Sequence, residues 1–410
     1  NAVLVIVDTL DYDAPLRYDA EFDVYEGGIK AAFEDEVDGR GRYITFAVSG
    51  VIEGGLPFTT DGSNIPYQSG ISGDREENVT VFGQSAPRGG ITLHRSYIHF
   101  IRSNNVIVRY LTVRTGLIQG SPVGDDRTTV PLNIGASNAI IDHCSASWGG
   151  DKGVIIGDWR AGFPLYDTTV QNTLIADSAT LAFSVNGGGE AEDFAAGGNV
   201  TWHYNFIAGQ NRTPNMGGFN GLGVIQNNIV DSSGTKLSTI VYGAPRINHL
   251  SNYYRIRRSS GTTLNQFQDV AGTSPLFYTA GNYLEDDNGV QLSGAAGENN
   301  QAAWQYFAAG GPLPDSLFVD TPHEATAPGP LLHPAPLLSA AETFEEVLSD
   351  VGNNRYLDDE GRVQRYQDDY DTRAIENARA DRMEFRKFSS DWVLPAIPEE
   401  RRPDTYDTDH

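Results

Sequence analysis

Only one cysteine, Cys144, occurs in 410 residues, so no internal disulfide can form and a packed core must carry the stability. It lies beside Ile140 and Ile141, where a thiol behaves as a small buried hydrophobe. No run of roughly eighteen apolar residues is present, which excludes a transmembrane helix. Positive charge is scarce: 29 Lys and Arg against 54 Asp and Glu leave a net charge of −25. That field repels nucleic acid and anionic membranes, and the acidity fits a solubility surface; a polyanionic ligand would need a local cationic pocket. Asn-Gly hairpin signals between alternating strands are few, which argues against the competing reading of an all-β sandwich. The chain opens on Asn1 with no charged-then-apolar leader, so an export signal is expected to have been removed.

With 39% hydrophobic residues the chain can bury a large core, as one elongated domain or two compact ones. Short β-branched runs recur at 78–81, 105–108, 138–141, 168–170, 199–202 and 222–225, each followed by polar turn residues. Several carry an asparagine just after the strand: Asn172, Asn205, Asn227 and Asn252, at spacings of 33, 22 and 25 residues. A period in this range, with insertions between strands, predicts the stacked coils of a parallel β-helix. Inward asparagines at one turn can stack and pair amides that would otherwise be buried without partners. At the N-terminus, Ile29 and Phe33 stand four apart in 27–36, an amphipathic turn suited to covering the open end of the first coil. Beyond about residue 312 the strand rhythm fades, and helical periodicity is expected in 339–351 and 372–385. This divides the chain into a solenoid, 1–311, and an extension, 312–410, packed along it.

The densest motif is 138–151, which sets Asp142, His143, Cys144, Ser145, Ser147, Trp148 and Asp151 close together. With 43–52, 79–87 and 105–114 before it, and Asn211-Arg212-Thr213-Pro214, 226–228 and 252–254 after it, the series resembles the pectate lyase family, polysaccharide lyase family one. The bacterial branch with an Asp-His-Cys-Ser-x-Ser-Trp-x-x-Asp-Glu signature is the nearest match. The resemblance implies an all-β, right-handed parallel β-helix with a helical N-terminal cap. It also implies β-elimination on a uronic-acid polymer, in which a base removes the C5 proton alpha to a carboxylate and the C4 glycosidic oxygen leaves.

By the same resemblance Arg212 is the base, a role that needs desolvation and a neighbouring positive charge because a free guanidinium stays protonated. Calcium would bridge substrate and protein through carboxylates. Asp151 matches one ligand position, and Asp125 and Asp126 are the nearest carboxylates for another. Lys152 stands where an acid is expected, so it is read as a cation that replaces metal charge. Gly217 stands where a second basic residue is expected, and Arg160, Arg246, Arg255, Arg257 and Arg258 are candidate replacements, Arg246 first. His203, Tyr204 and Asn211 are expected to line the groove, and Trp148 to stack on a sugar or to be buried. Asp142 and His143 read better as a structural pair than as an acid–base dyad. The expected partner is an acidic polysaccharide, met by a secreted or periplasmic monomer. Two alternatives stand beside the lyase: a β-helix glycosidase using Asp125, Asp126 and Asp151, and a carbohydrate-binding solenoid with a decayed site.

Overall fold

The computed structural model describes residues 2–54, 71–74, 77–116, 130–149, 152–157, 167–178, 181–186, 199–212, 215–217, 221–236, 239–240, 244–256, 275–285, 291–293, 315–324, 336–382 and 393–402. The chain winds through three parallel strand ladders. The first runs from Ala2–Val7 through Gly41–Phe46 and Glu77–Phe82, then the ends of Ile98–Arg109 and Leu132–Asp142, on to Thr168–Gln171, Val200–His203, Leu222–Gln226, Arg246–Leu250 and Leu276–Ala280. A sharp corner leads to the second, which stacks Val48–Glu53, Ile91–His94, Leu111–Arg114, Ser145–Ser147, Leu174–Ala176, Phe206–Arg212, Ile229–Lys236, Tyr253–Ile256 and Tyr283–Glu285. The third joins the starts of Ile98–Arg109 and Leu132–Asp142 to Lys152–Ile156, Leu181–Asn186, Asn215–Gly217 and Thr239–Ile240. Each coil pairs with the next rather than with itself, the architecture of a parallel β-helix.

Alternation along each strand builds the interior. Val108, Ile141, Val170, Trp202, Ile225 and Ile247 point inward from the first ladder, and Val113, Ala146, Ile175, Ile207, Val230 and Tyr254 from the second, into one continuous core. A fully buried aliphatic side chain contributes about 1.5–3 kcal/mol, and this column repeats at every coil.

The corner between first and second ladders is a two-residue device. Its first residue is left-handed: Tyr110, His143, Asn172, Tyr204, Asn227 and Ser251 have φ between 47° and 56°, and Gly281 has φ 66°. Its second residue turns inward, and from the fourth of these corners onward that residue is asparagine. Asn205 Nδ2 donates to Val170 O (2.9 Å) and to Asn228 Oδ1 (3.0 Å). Asn228 Nδ2 donates to Trp202 O and Asn252 Oδ1, both 2.9 Å. Asn252 Nδ2 donates to Ile225 O (3.0 Å) and Asn282 Oδ1 (2.9 Å), and Asn282 Nδ2 to His249 O (2.9 Å). Each Oδ1 also accepts the preceding coil's backbone N–H, from Thr173, Asn205, Asn228 and Asn252. The stacked column is therefore Thr173, Asn205, Asn228, Asn252 and Asn282. Asn172 and Asn227 stand one residue off, as the left-handed corner residues, because asparagine tolerates that conformation as readily as it fills the ladder.

Helix α1 (Ile29–Glu34) buries Ile29, Ala32 and Phe33 against the first coils, with the Phe33 and Phe100 rings 5.9 Å apart. Arg42 reaches its C-terminal turn and donates to the carbonyls of Ala32 (3.0 Å), Phe33 (3.1 Å) and Asp35 (2.9 Å), pairing orphan acceptors. Helix α2 (Ala340–Asp350) starts in a Ser339/Glu342 capping box. Helix α3 (Asp369–Arg379) starts at Asp368, whose carboxylate takes the N–H of Tyr370 and Asp371. Their apolar faces, including Val347, Leu348, Tyr370 and Ile375, cover the outer side of the second ladder at Leu174, Phe206 and Ile229. Buried Arg114 adds charge to this seam, donating to Asp368 (2.8 Å) and Asp371 (3.1 Å), while Ser145 donates to Asp371 and Tyr370 to Asp177.

The amide column yields a test of register. Asn228→Ala leaves the Asn205 N–H and the Trp202 carbonyl buried without partners and should cost about 3 kcal/mol in urea unfolding. Asn172→Ala, at a partly exposed corner, should cost about 1 kcal/mol. Equal costs would show that the column is misregistered.

Candidate active site

The edge where the second ladder crosses to the third collects the sequence candidates. On successive coils the chain passes here from Ser145–Ser147 to Lys152–Ile156, from Leu174–Ala176 to Leu181–Asn186, from Phe206–Arg212 to Asn215–Gly217, and from Ile229–Lys236 to Thr239–Ile240. Arg212 closes its strand at this edge, with Asn211 beside it, and its register partner on the next coil is Lys236. Residues 215 and 239 then pair across the third ladder, so the crossing is held on both sides.

Lys152 opens its strand opposite Leu181 and is 4% exposed, on the same alternate row as the core residues Val154 and Ile156. Asp125, Asp126, Asp151, Arg160, Arg257 and Arg258 lie outside the described residues. Among the described residues no group of three or more His, Cys, Asp or Glu gathers in a way that could hold a metal ion. The buried acids near this edge have other occupations: Asp177 takes the Tyr370 hydroxyl, and Asp231 and Glu285 face Arg255 at 3.5 and 2.5 Å. Among the described residues no set of side chains fits a calcium site.

Other candidates sit elsewhere. Trp148 is 1% exposed, with Tyr370 edge-on at 5.4 Å, His94 edge-on at 5.9 Å and the Arg114 guanidinium 5.5 Å away. Its ring belongs to the seam under α3 and presents no face to a sugar. His203 and Tyr204 form the corner at the opposite end of the Phe206–Arg212 strand from Arg212, and the Tyr204 hydroxyl donates to Pro336 O at 2.6 Å. Arg246 is exposed but stands on the first ladder, between Leu222 and Leu276. Arg255 is buried and also donates to Ala378 O at 2.8 Å, so it ties α3 to the solenoid.

Asp142 and His143 form a separate buried unit. Asp142 Oδ1 lies 2.7 Å from His143 Nδ1 and accepts from Gln171 (3.0 Å) and Asn172 (3.1 Å), while Oδ2 accepts from Arg109 Nε at 2.7 Å. Burial pushes this carboxyl up, but the bonds and charge of His143 with the two amides outweigh it and hold it well below the usual carboxylate range. His143 stacks on Tyr110 at 4.8 Å and turns Nε2 toward Asp350 of α2, 3.4 Å away. With its lone pairs engaged and α2 over it, the pair fastens a corner remote from Arg212.

No family model matches the chain. A probable pectate lyase C from Aspergillus flavus is 28% identical over 271 residues, 65% of this chain and 56% of the relative. One from Emericella nidulans is 28% identical over 303 residues, 73% of this chain and 63% of the relative. The chain thus spans a little over half the length of the curated relatives it matches. Pectate lyase II from Xanthomonas campestris pv. campestris superposes with a TM-score of 0.50 at 16% identity, covering 86% of this chain and 94% of that one. A pectate lyase from Bacillus sp. N165, in complex with trigalacturonate, gives a TM-score of 0.50 at 12% identity with the same coverage.

Burial of two imidazoles makes stability depend on pH. It pushes His203 down to about 4 and His249 down to about 3. An imidazole whose folded pKa lies below its unfolded value takes up its proton first in the unfolded chain, so stability falls as pH drops from about 6.5 toward 4. Each should cost on the order of 1–3 kcal/mol over that window. A His203→Gln/His249→Gln double variant should lose less stability than wild type between pH 7 and pH 5 in urea titrations; an unchanged difference would contradict this. In sequence the chain is similar to proteins named probable pectate lyase C, and it shares its fold with solved pectate lyases.

Proposed function

We propose that this protein is a polysaccharide lyase that cleaves pectate or a related uronic-acid polymer by β-elimination, with Arg212 as the base. The observation that carries the reading is the homology to pectate lyases, spanning 73% of the chain in one relative, together with Arg212 at the end of a strand on the crossing edge. The C5 proton of a uronate is acidified by its carboxylate. Its transfer to a neutral guanidine leaves an electron pair that forms the C4–C5 double bond and expels the glycosidic oxygen. A guanidine can accept it only where a nearby cation and exclusion of water disfavour the charged form.

In this reading residues 1–311 form the lyase solenoid, with α1 over its first coil, and 312–410 form an extension along its second ladder. Asp125, Asp126 and Asp151 are the candidate calcium ligands, a hard-oxygen set, and the cation they would hold would supply positive charge to the substrate carboxylate. Asn211 lines the groove beside Arg212, and Lys152 contributes charge at the neighbouring crossing. An acidic polymer as substrate fits a protein acting outside the cytoplasm as a monomer.

Incubation with polygalacturonate should produce the ultraviolet absorbance of an unsaturated sugar, and Arg212→Ala should lower kcat by about 10²–10⁴-fold with thermal stability retained. Reducing ends without that absorbance would overturn the lyase reading, and full activity in Arg212→Ala would overturn the base. A chelator that abolishes turnover supports calcium; undiminished turnover removes it from the account.

A further inference from the structure

We infer that α3 is fastened to the solenoid by a proton held on Asp371, so that raising the pH through neutrality loosens the helix from the second ladder. The inference does not depend on the lyase reading. Where α3 meets the ladder, acids outnumber bases. Asp368 and Asp371 both reach one nitrogen of Arg114, Nη2, at 2.8 and 3.1 Å, and none of the three side chains is more than 5% exposed. A third acid, Asp177, takes the Tyr370 hydroxyl from just past the strand Leu174–Ala176. Arg114 Nε and Nη1 have no hydrogen-bond partner among the described residues, and the guanidinium lies against the rings of Trp148 at 5.5 Å and Tyr370 at 4.8 Å. Two carboxylates therefore compete for a single N–H group in a site closed to water. Both cannot be ionised there without a large penalty.

The hydrogen bonds decide which acid keeps the proton. Asp368 Oδ1 accepts the backbone N–H groups of Tyr370 (2.9 Å) and Asp371 (3.0 Å), and its Oδ2 accepts from Arg114, all of which favour the ionised form. Asp371 takes no backbone N–H among the described residues. Its Oδ1 faces Arg114 and its Oδ2 meets the Ser145 hydroxyl, which accepts the Asn353 N–H at 2.9 Å. A hydroxyl can accept from a carboxylic acid as well as donate to a carboxylate, so Ser145 serves Asp371 in either state. Burial and the Asp368 charge outweigh Arg114 and push this carboxyl up to about 7.

No other group at the seam takes this part. Burial works against the Arg114 charge, but the two carboxylates outweigh it and keep the guanidinium protonated. Burial raises Tyr370 and Tyr366 further above neutrality; Arg373 lies over the Tyr370 ring at 4.8 Å and Arg88 over that of Tyr366 at 5.8 Å. His94 bonds to Glu53 at 2.8 Å and meets the edge of Trp148 rather than the acids. A carboxyl raised in the folded chain stabilises it fully below the unfolded value of about 4, and that contribution is lost as pH rises to about 7. Above that, ionised Asp371 and Asp368 share Nη2. Tyr370, Ile375 and Ala378 of α3 then hold less firmly to Leu174, Phe206 and Ile229, and the strand Phe206–Arg212 runs on to the crossing edge.

The test is hydrogen–deuterium exchange of the full chain, with α3 amides corrected for their intrinsic rates and referenced to α1, in wild type and Asp371→Asn. The asparagine keeps an oxygen for Arg114 and a donor for Ser145 but does not titrate. Wild-type α3 should lose about 10²-fold in protection between about pH 5 and about pH 8, and Asp371→Asn less than about threefold. Constant protection in wild type, or an equal loss in Asp371→Asn, overturns the inference. Infrared difference spectra of wild type labelled with ¹³C-aspartate need no variant and decide the matter if Asp371→Asn fails to fold. A protonated aspartate carboxyl band present at about pH 5.5 and gone by about pH 8 is expected; its absence at the lower pH overturns the inference.

Discussion

The column of side-chain amides at Asn205, Asn228, Asn252 and Asn282 is the constraint from which the rest of the solenoid is measured. Parallel coils have no hairpin to set their register. Here each Oδ1 accepts from a backbone N–H, those of Asn228, Asn252 and Asn282 accept from the preceding side-chain amide as well, and each Nδ2 donates to a backbone carbonyl. A slip of one residue would bury several of these groups without partners, each costing about 1–3 kcal/mol. The column thereby aligns the starts of Phe206–Arg212 and Ile229–Lys236, and a local bulge then decides which residues face each other at their far ends.

Charge is distributed under the same logic. In a chain so acidic, positive side chains serve mainly as fasteners: Arg42 to a helix end, Arg109 to the Asp142 corner, Arg114 and Arg255 to the extension that covers the second ladder. The paired Asp368 and Asp371 around Arg114 show how costly this is, since burial and the Asp368 charge push the Asp371 carboxyl up to about 7.

Much of the fold was legible from recurrence alone. β-Branched runs that start at irregular intervals of 23 to 33 residues point to stacked coils, and the strands fall where those runs are. The corner register was not legible, because Asn227-Asn228 offers two residues suited to the left-handed position and the asparagine of Asn172-Thr173 suits the column as well as the corner, and only pairing with the next coil separates them. Helix α3 begins at 369, ahead of the expected 372, because Asp368 caps it. Tertiary placement explains the rest. Trp148 lies in a motif that reads as a binding site, yet Tyr370 from far along the chain covers it. Arg246 sits just before a coil, but sequence does not say on which ladder that coil begins.

The most direct measurement of the central claim is an experimental structure of Arg212→Ala with a bound galacturonate oligomer. The account predicts the oligomer along the crossing edge from the second to the third ladder, with the C5 of one uronate facing position 212. An oligomer lying instead over the first ladder, at Arg246 or the His203 corner, would contradict it.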